Sequence, residues 1–137
     1  MSYCAFKMWV PLVSLLFGMG CAQKVAMQRS AAVPAALAEA KITRTDNNNT
    51  RIDLEVHHLA PPQNLTPKKS VYVVWAQTPQ GRTVNLGQMI VGRDRASEFI
   101  GITPIYEFRI LVTAEEESTA RTPSNQVVLS TEVFKVT

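Results

Sequence analysis

One pattern dominates this chain: short runs in which apolar and polar residues alternate, separated by turn signals. The clearest run, residues 105–114, puts Phe108 and Ile110 on one side and Glu107 and Arg109 on the other. A repeat of two residues is that of a β-strand with one buried face. A chain built mainly of such runs is predicted to be all-β.

Seven runs of this kind follow one another from residue 38. They cover residues 38–45, 50–59, 70–77, 83–91, 96–103 and 105–114, and a last strand passes through Val127, Leu129 and Val133. The turns between them leave no room for helical crossovers, which parallel strands would need. The sequence therefore predicts a seven-stranded antiparallel sandwich. Within the run 70–77, Tyr72 and Trp75 face opposite sides, and both are expected to be covered.

A resemblance to known sandwiches is carried by residues 106–114 (YEFRILVTA), followed by an acidic loop, Pro123, Ser124 and the last strand. These features resemble the fibronectin type III and immunoglobulin-like domains. The resemblance implies that Tyr106 is a corner tyrosine whose hydroxyl bonds to the backbone near Pro104. The family tryptophan usually lies on the second strand, whereas Trp75 here lies on the third.

A second resemblance is to the extracytoplasmic domain of anti-sigma-K-type regulators. Those domains have a strand similar to residues 71–75 (VYVVW), a Leu-Gly pair like Leu86 and Gly87, and a Val-Thr-Ala-Glu sequence like residues 112–115. The likeness implies a shared extracytoplasmic sandwich. Regulation is not carried over, because neither a sigma-binding domain nor a spanning helix is predicted in the 137 residues.

The first twenty residues have the pattern of a signal peptide. Lys7 precedes an apolar run of residues 8–20, which polar residues at Gln23 and Lys24 follow closely. A membrane-spanning helix needs about 20 apolar residues, and this run is shorter. Residues 1–20 are therefore predicted to be an export signal.

The end of that signal resembles the lipoprotein signal of bacteria, since the small residues Gly18 and Gly20 lead into Cys21. In that family the cysteine carries lipid and becomes the first residue of the mature protein. Cys4 would leave with the signal, so Cys21 would have no disulfide partner. An ordinary signal peptide with an incidental cysteine is the alternative. Ala22 after the cysteine implies, by the same resemblance, delivery to the outer membrane of the cell envelope.

The next segment, residues 21–37, is predicted to be the lipidated N-terminus and a flexible linker. It is rich in alanine, shows no clear alternation, and contains Pro34, which interrupts helices. The folded domain is expected to cover residues 38–137.

No catalytic or metal-binding constellation stands out in the sequence. His57 and His58 are the only histidines, and neighbouring residues of a strand point to opposite faces, so the pair is not expected to chelate one metal. No nucleophile motif is present. The net charge of +3 is too mild and scattered to argue for nucleic acid. Neither enzymatic activity nor a cofactor is predicted.

The candidate contact surface is the loop after the strongest strand. It carries Glu115, Glu116 and Glu117 without the spacing of a calcium loop, followed by Arg121. The sequence favours a non-enzymatic envelope lipoprotein that binds a protein or glycan or supports envelope structure. A periplasmic sensing or regulatory module, and a carrier of a small ligand or metal, remain alternatives.

Overall fold

A computed structural model describes residues 22–137 and shows an all-β protein. Its described residues form nine strands and one short 3-10 turn, Pro62–Asn64. The strands are β1 (Gln23–Arg29), β2 (Leu37–Arg44), β3 (Thr50–His57), β4 (Val71–Gln77), β5 (Thr83–Met89), β6 (Ser97–Thr103), β7 (Glu107–Glu115), β8 (Val127–Thr131) and β9 (Phe134–Lys135). The predicted signal peptide and Cys21 lie outside the described residues. Within residues 22–137, no helical segment has the length and apolar character needed to cross a membrane.

The strands join in one antiparallel path in the order β5-β4-β7-β8-β1-β2-β3-β6, and β9 pairs with β7. The two ends of the path, β5 and β6, approach each other, so the sheet is nearly closed. Phe99 of β6 fills this junction. A Cβ atom added at Gly87 of β5 would lie 3.3 Å from Cε2 of its ring. Glycine at this position lets the aromatic ring approach the neighbouring backbone closely.

The predicted runs correspond to β2 through β8, and the all-β class and the antiparallel pairing are confirmed. The turn between β2 and β3 lies at residues 45–49, as the spacing of the predicted runs requires. Thr45 donates its backbone N–H to the carbonyl of Asn49 at 2.8 Å, and Asn48 takes the left-handed conformation with φ of 59°. Asparagine tolerates that conformation better than most residues.

The prediction of a flexible linker is wrong for β1. Residues 23–26 pair with β2 and residues 27–29 pair with β8, so β1 joins the two parts of the sheet. Val25 and Met27 turn inward against the core, whereas Lys24 and Gln28 are exposed. The alternation is therefore present, but it contains only two inward apolar side chains, and the alanine-rich sequence after it obscures the pattern.

The predicted count of seven strands is also wrong, because β1 adds one strand and the last run is split into β8 and β9. Thr131 causes the break. Its hydroxyl accepts a hydrogen bond from the backbone N–H of Ile110 at 2.9 Å and donates one to the carbonyl of Glu132 at 2.8 Å. A side chain that takes the place of a backbone partner ends the regular ladder. The chain then resumes pairing with β7 at Phe134.

The sheet encloses one large apolar core and carries a small second cluster on its outer face. Tyr72, on the inner face of β4, belongs to the large core, while Val73, Trp75 and Leu111 form the second cluster. Tyr72 and Trp75 are both fully buried, so the prediction that both are covered is confirmed. The hydroxyl of Tyr72 donates to the carbonyl of Ala60 at 2.6 Å, and burial raises its pKa to about 12.

The antiparallel strands give the sheet two ends, which place the loops. We call one of them the lower end. It holds the start of β1 and the turns at residues 45–49 and 78–82. At the upper end lie the connections over residues 58–70, 90–96 and 116–126.

Candidate interaction surfaces

The predicted contact loop begins with a residue that is not available for contact. Glu115 is the last residue of β7 and only 6% exposed. Its carboxylate accepts a hydrogen bond from the hydroxyl of Thr113 and another, at 2.8 Å, from the backbone N–H of Ser124. The prediction that Glu115 faces a partner is therefore wrong. The carboxylate accepts hydrogen bonds from donors inside the domain, because burial of a charge is costly unless the charge is hydrogen-bonded.

The rest of this loop is held by hydrogen bonds to β5 and to the connection that precedes β4. The side-chain amide of Asn85 donates to the carbonyls of Ser118 and Ala120, both at 2.9 Å. The amide of Gln126 donates to the carbonyl of Pro67 at 3.0 Å. Ala120 and the neighbouring chain cover the outer cluster around Trp75. The loop therefore covers a buried tryptophan.

The remaining predicted contact residues lie on the outside of that cover. Lys69 Nζ lies 3.4 Å from Glu116 Oε1, which ties the loop to the proline-rich connection before β4. Glu117 and Arg121 are exposed. Of the four predicted contact residues, Glu116, Glu117 and Arg121 are therefore at the surface, and Glu116 is paired with Lys69.

The two histidines sit where β3 ends. Nε2 of His57 lies 2.8 Å from Oε1 of Glu55 on the same face of the strand, and His58 follows in the left-handed conformation with φ of 57°. Their ring centroids are 6.5 Å apart and tilted by 54°. Among residues 22–137, no three His, Cys, Asp or Glu side chains are grouped so that they could hold a metal ion.

Tyr106 makes a contact different from the predicted one. Its hydroxyl donates to the carbonyl of Asn48 at 2.6 Å, so the expected bond near Pro104 is wrong. The guanidinium of Arg44 lies 4.7 Å from the centre of its ring, within the range of a cation–π contact. The left-handed Asn48 belongs to the turn that leads into β3. Tyr106 therefore links this turn to the start of β7 and remains 39% exposed.

A shallow groove of about 460 Å³ lies on the outer face of β2, β3 and β6. Strand register places three glutamates in one row across it, since Glu39 pairs with Glu55 and Glu55 pairs with Glu98. Like charges directly opposite one another destabilise a sheet. Two of them have cationic or polar neighbours: Lys24 Nζ lies 3.2 Å from Glu39, and His57 lies beside Glu55.

Apolar side chains border this acidic row. Leu37 and Ile100, which lie on either side of the row, are 56% and 60% exposed on the same outer face. Sequence reasoning missed this surface because each strand by itself shows only alternating polar residues. The row of glutamates becomes visible only when the pairing register of β2, β3 and β6 is known.

Comparison with known proteins gives no relative: no family model, no curated protein and no solved structure matches the chain.

Proposed function

We propose that this protein is a non-enzymatic, lipid-anchored module of the bacterial cell envelope that binds a protein or glycan partner. The observation that carries the proposal is the position of β1, which begins at Gln23, two residues after Cys21. Cleavage before Cys21 would leave all nine strands of the described residues intact. A cut within residues 23–29 would remove part of a strand that bonds to both β2 and β8.

The proposed domain type is a fibronectin type III or immunoglobulin-like sandwich with added strands. Two groups of neighbouring strands support this, β2-β3-β6 and β5-β4-β7-β8, whose inner side chains share one core. Sheets packed face to face over a common core are the basis of a sandwich. In this proposal β1 lies along one side and pairs with both groups.

The proposed partner surface is the groove on β2, β3 and β6. Its row of Glu39, Glu55 and Glu98 would be relieved by cationic groups of a partner, and the exposed Ile100 offers apolar contact next to it. We propose that the partner presents basic side chains beside an apolar residue. A membrane regulator as the captured partner would support the alternative function in sensing.

The anchor is tested by replacing the cysteine. In a bacterial host fed a clickable fatty acid, the wild-type chain is expected to take up label and sediment with membranes. Cys21→Ser is expected to lose both properties, whereas Cys4→Ser keeps them. A Cys21→Ser variant that stays on membranes, or a wild type without label, would overturn the anchor.

The partner surface is tested by photocrosslinking in intact cells. A photoreactive amino acid at Ile100 is expected to capture a partner, and the same group at Ile90, which is 70% exposed at the upper end, serves as control. Glu98→Lys should abolish the capture at Ile100 because it reverses one charge of the acidic row. Equal capture at both positions, or capture that survives Glu98→Lys, would contradict this surface.

A further inference from the structure

The charged residues of the described chain are divided unevenly between the two ends of the sheet. We divide the sheet between two cross-strand rows. The row of Lys24, Lys41 and Asp53 belongs to the lower half, and the adjoining row of glutamates belongs to the upper half. The lower half holds the basic residues Lys24, Lys41, Arg44, Arg51, Arg82, Arg109 and Lys135 and the acidic residues Asp46, Asp53, Glu107 and Glu132. The upper half holds Arg29, Lys68, Lys69, Arg93, Arg95 and Arg121 with Glu39, Glu55, Asp94, Glu98, Glu115, Glu116 and Glu117. Lys24 pairs with Glu39 across the boundary, and without this pair the lower half still has six basic against four acidic residues, whereas the upper half has six of each. The lower half is therefore net positive, and the upper half is not.

The start of β1 lies at this positive end. Gln23 pairs with Ile42, close to the point where β2 ends at Arg44. Two residues of extended chain span at most about 7 Å. That distance is shorter than the Debye length of about 8 Å at physiological salt. A lipid on Cys21 would hold the lower end within electrostatic reach of the headgroups.

Exposed apolar and aromatic side chains accompany the positive charge. Tyr106, beside the guanidinium of Arg44, is 39% exposed, while Ile102 and Val133 are 59% and 47% exposed. Tyrosine next to basic residues is a combination that suits the boundary between water and lipid headgroups. The glutamate row, in contrast, lies beyond the boundary described above, in the upper half.

We propose that the lower end of the domain docks against anionic lipid headgroups of the membrane that holds the anchor. This proposal rests on the proposed lipid at Cys21. In this arrangement the domain has a fixed orientation on the membrane and does not move on a flexible linker. The loops of the upper end then point away from the membrane, towards the compartment that the protein faces.

The orientation is tested on the full-length protein, isolated from a bacterial membrane and reconstituted into vesicles. Arg82→Cys at the lower end and Arg93→Cys at the upper end each remove one exposed charge and provide one thiol for a fluorophore. A quencher attached to lipid headgroups should quench the label at residue 82 much more than the label at residue 93. The difference should be large with phosphatidylglycerol and small with phosphatidylcholine alone. It should also shrink in 1 M salt, where the Debye length falls to about 3 Å.

Charge variants show whether the basic end causes the orientation. Arg44→Gln combined with Lys135→Gln should weaken the lipid contact by about five-fold for each charge removed. The matched pair Lys68→Gln and Arg121→Gln at the upper end should leave the quenching unchanged. Mass spectrometry of the residue 21 peptide separates the two proposals. Lipid on Cys21 with equal quenching at both labels overturns the docking alone, and absence of lipid overturns the anchor and the docking together.

Discussion

The indole Nε1 of Trp75 donates a hydrogen bond of 2.7 Å to Oγ1 of Thr113 on the outer face of the sheet, away from the large core. The threonine hydroxyl in turn donates to the carboxylate of Glu115, which also accepts the backbone N–H of Ser124. Four buried or half-buried polar groups thus satisfy one another beneath the loop that follows β7. This chain of bonds explains how a tryptophan is buried on a face that a single sheet would leave in water.

Thr113→Val is expected to destabilise the domain, because valine keeps the shape but leaves the indole N–H without its acceptor. An unsatisfied buried donor costs about 1–3 kcal/mol. Denaturation followed by the fluorescence of Trp75, in a Trp9→Phe background, measures the change. Thr119→Val, at an exposed position of the same loop, should stay within about 0.5 kcal/mol. Equal stabilities of the two variants would contradict the role of this bond.

Asn85→Ala is expected to release the loop while leaving the sheet folded. The side chain holds the carbonyls of Ser118 and Ala120, and its own oxygen accepts the N–H of Gly87 at 2.9 Å. Hydrogen exchange should quicken over residues 116–126, since the loop then opens locally without global unfolding. Gln88→Ala, on the exposed side of β5, provides the control. Unchanged exchange in the loop of Asn85→Ala would argue against this attachment.

Val25→Asp tests whether β1 is part of the folded domain. An aspartate that replaces a partly buried side chain facing the core loses apolar burial and must desolvate a charge, so we expect a loss of about 2–3 kcal/mol. Gln28→Asp, on the exposed face of the same strand, should cost less than about 1 kcal/mol. Urea denaturation of both variants makes the comparison. A flexible linker would tolerate the two substitutions equally.

The pH dependence of stability should show a loss at high pH that comes from Tyr72. Its pKa is raised by burial from 10.0 to about 12 in the folded protein. The unfolded chain therefore releases this proton at lower pH than the folded one, and the contribution is complete below pH 10 and lost between pH 10 and 12. Absorbance at 295 nm should show one late tyrosinate component. Tyr72→Phe should remove that component and Tyr106→Phe should keep it, whereas a wild-type titration without a late component would refute the assignment.

The strongly alternating runs could be predicted from the sequence because their side chains are sorted by burial alone. The first half of residues 105–114 is an example, since Phe108 and Ile110 lie in the core and Glu107 is exposed. Beyond Ile110 both faces are buried, because the outer cluster around Trp75 and Leu111 covers the second face. The short strands could not be predicted in this way. β1 has only two inward apolar residues, and β9 consists of two residues, Phe134 and Lys135, so local periodicity carries almost no signal.

The candidate surfaces were harder to predict than the strands because they depend on which strands become neighbours. Glu115 looks like part of a solvated acidic run, yet Thr113 and Ser124 turn its carboxylate inward. The row of Glu39, Glu55 and Glu98 spans residues that are far apart in the sequence. Pairing over such separations is a property of the tertiary structure and has no counterpart in local sequence patterns.

The two pairings of β1 have a consequence for the order of folding. Met27 meets Thr131, about 100 residues later in the chain, whereas the other half of β1 meets β2 within some 20 residues. Contacts between distant residues form slowly, since loop closure must precede them. A chain that emerges from its N-terminus can form the β1–β2 hairpin early, but β1 finds its second neighbour only after β8 has been made. Until β8 has been synthesised, β1 therefore has only one of its two neighbours, and the edge of β1 that pairs with β8 stays open.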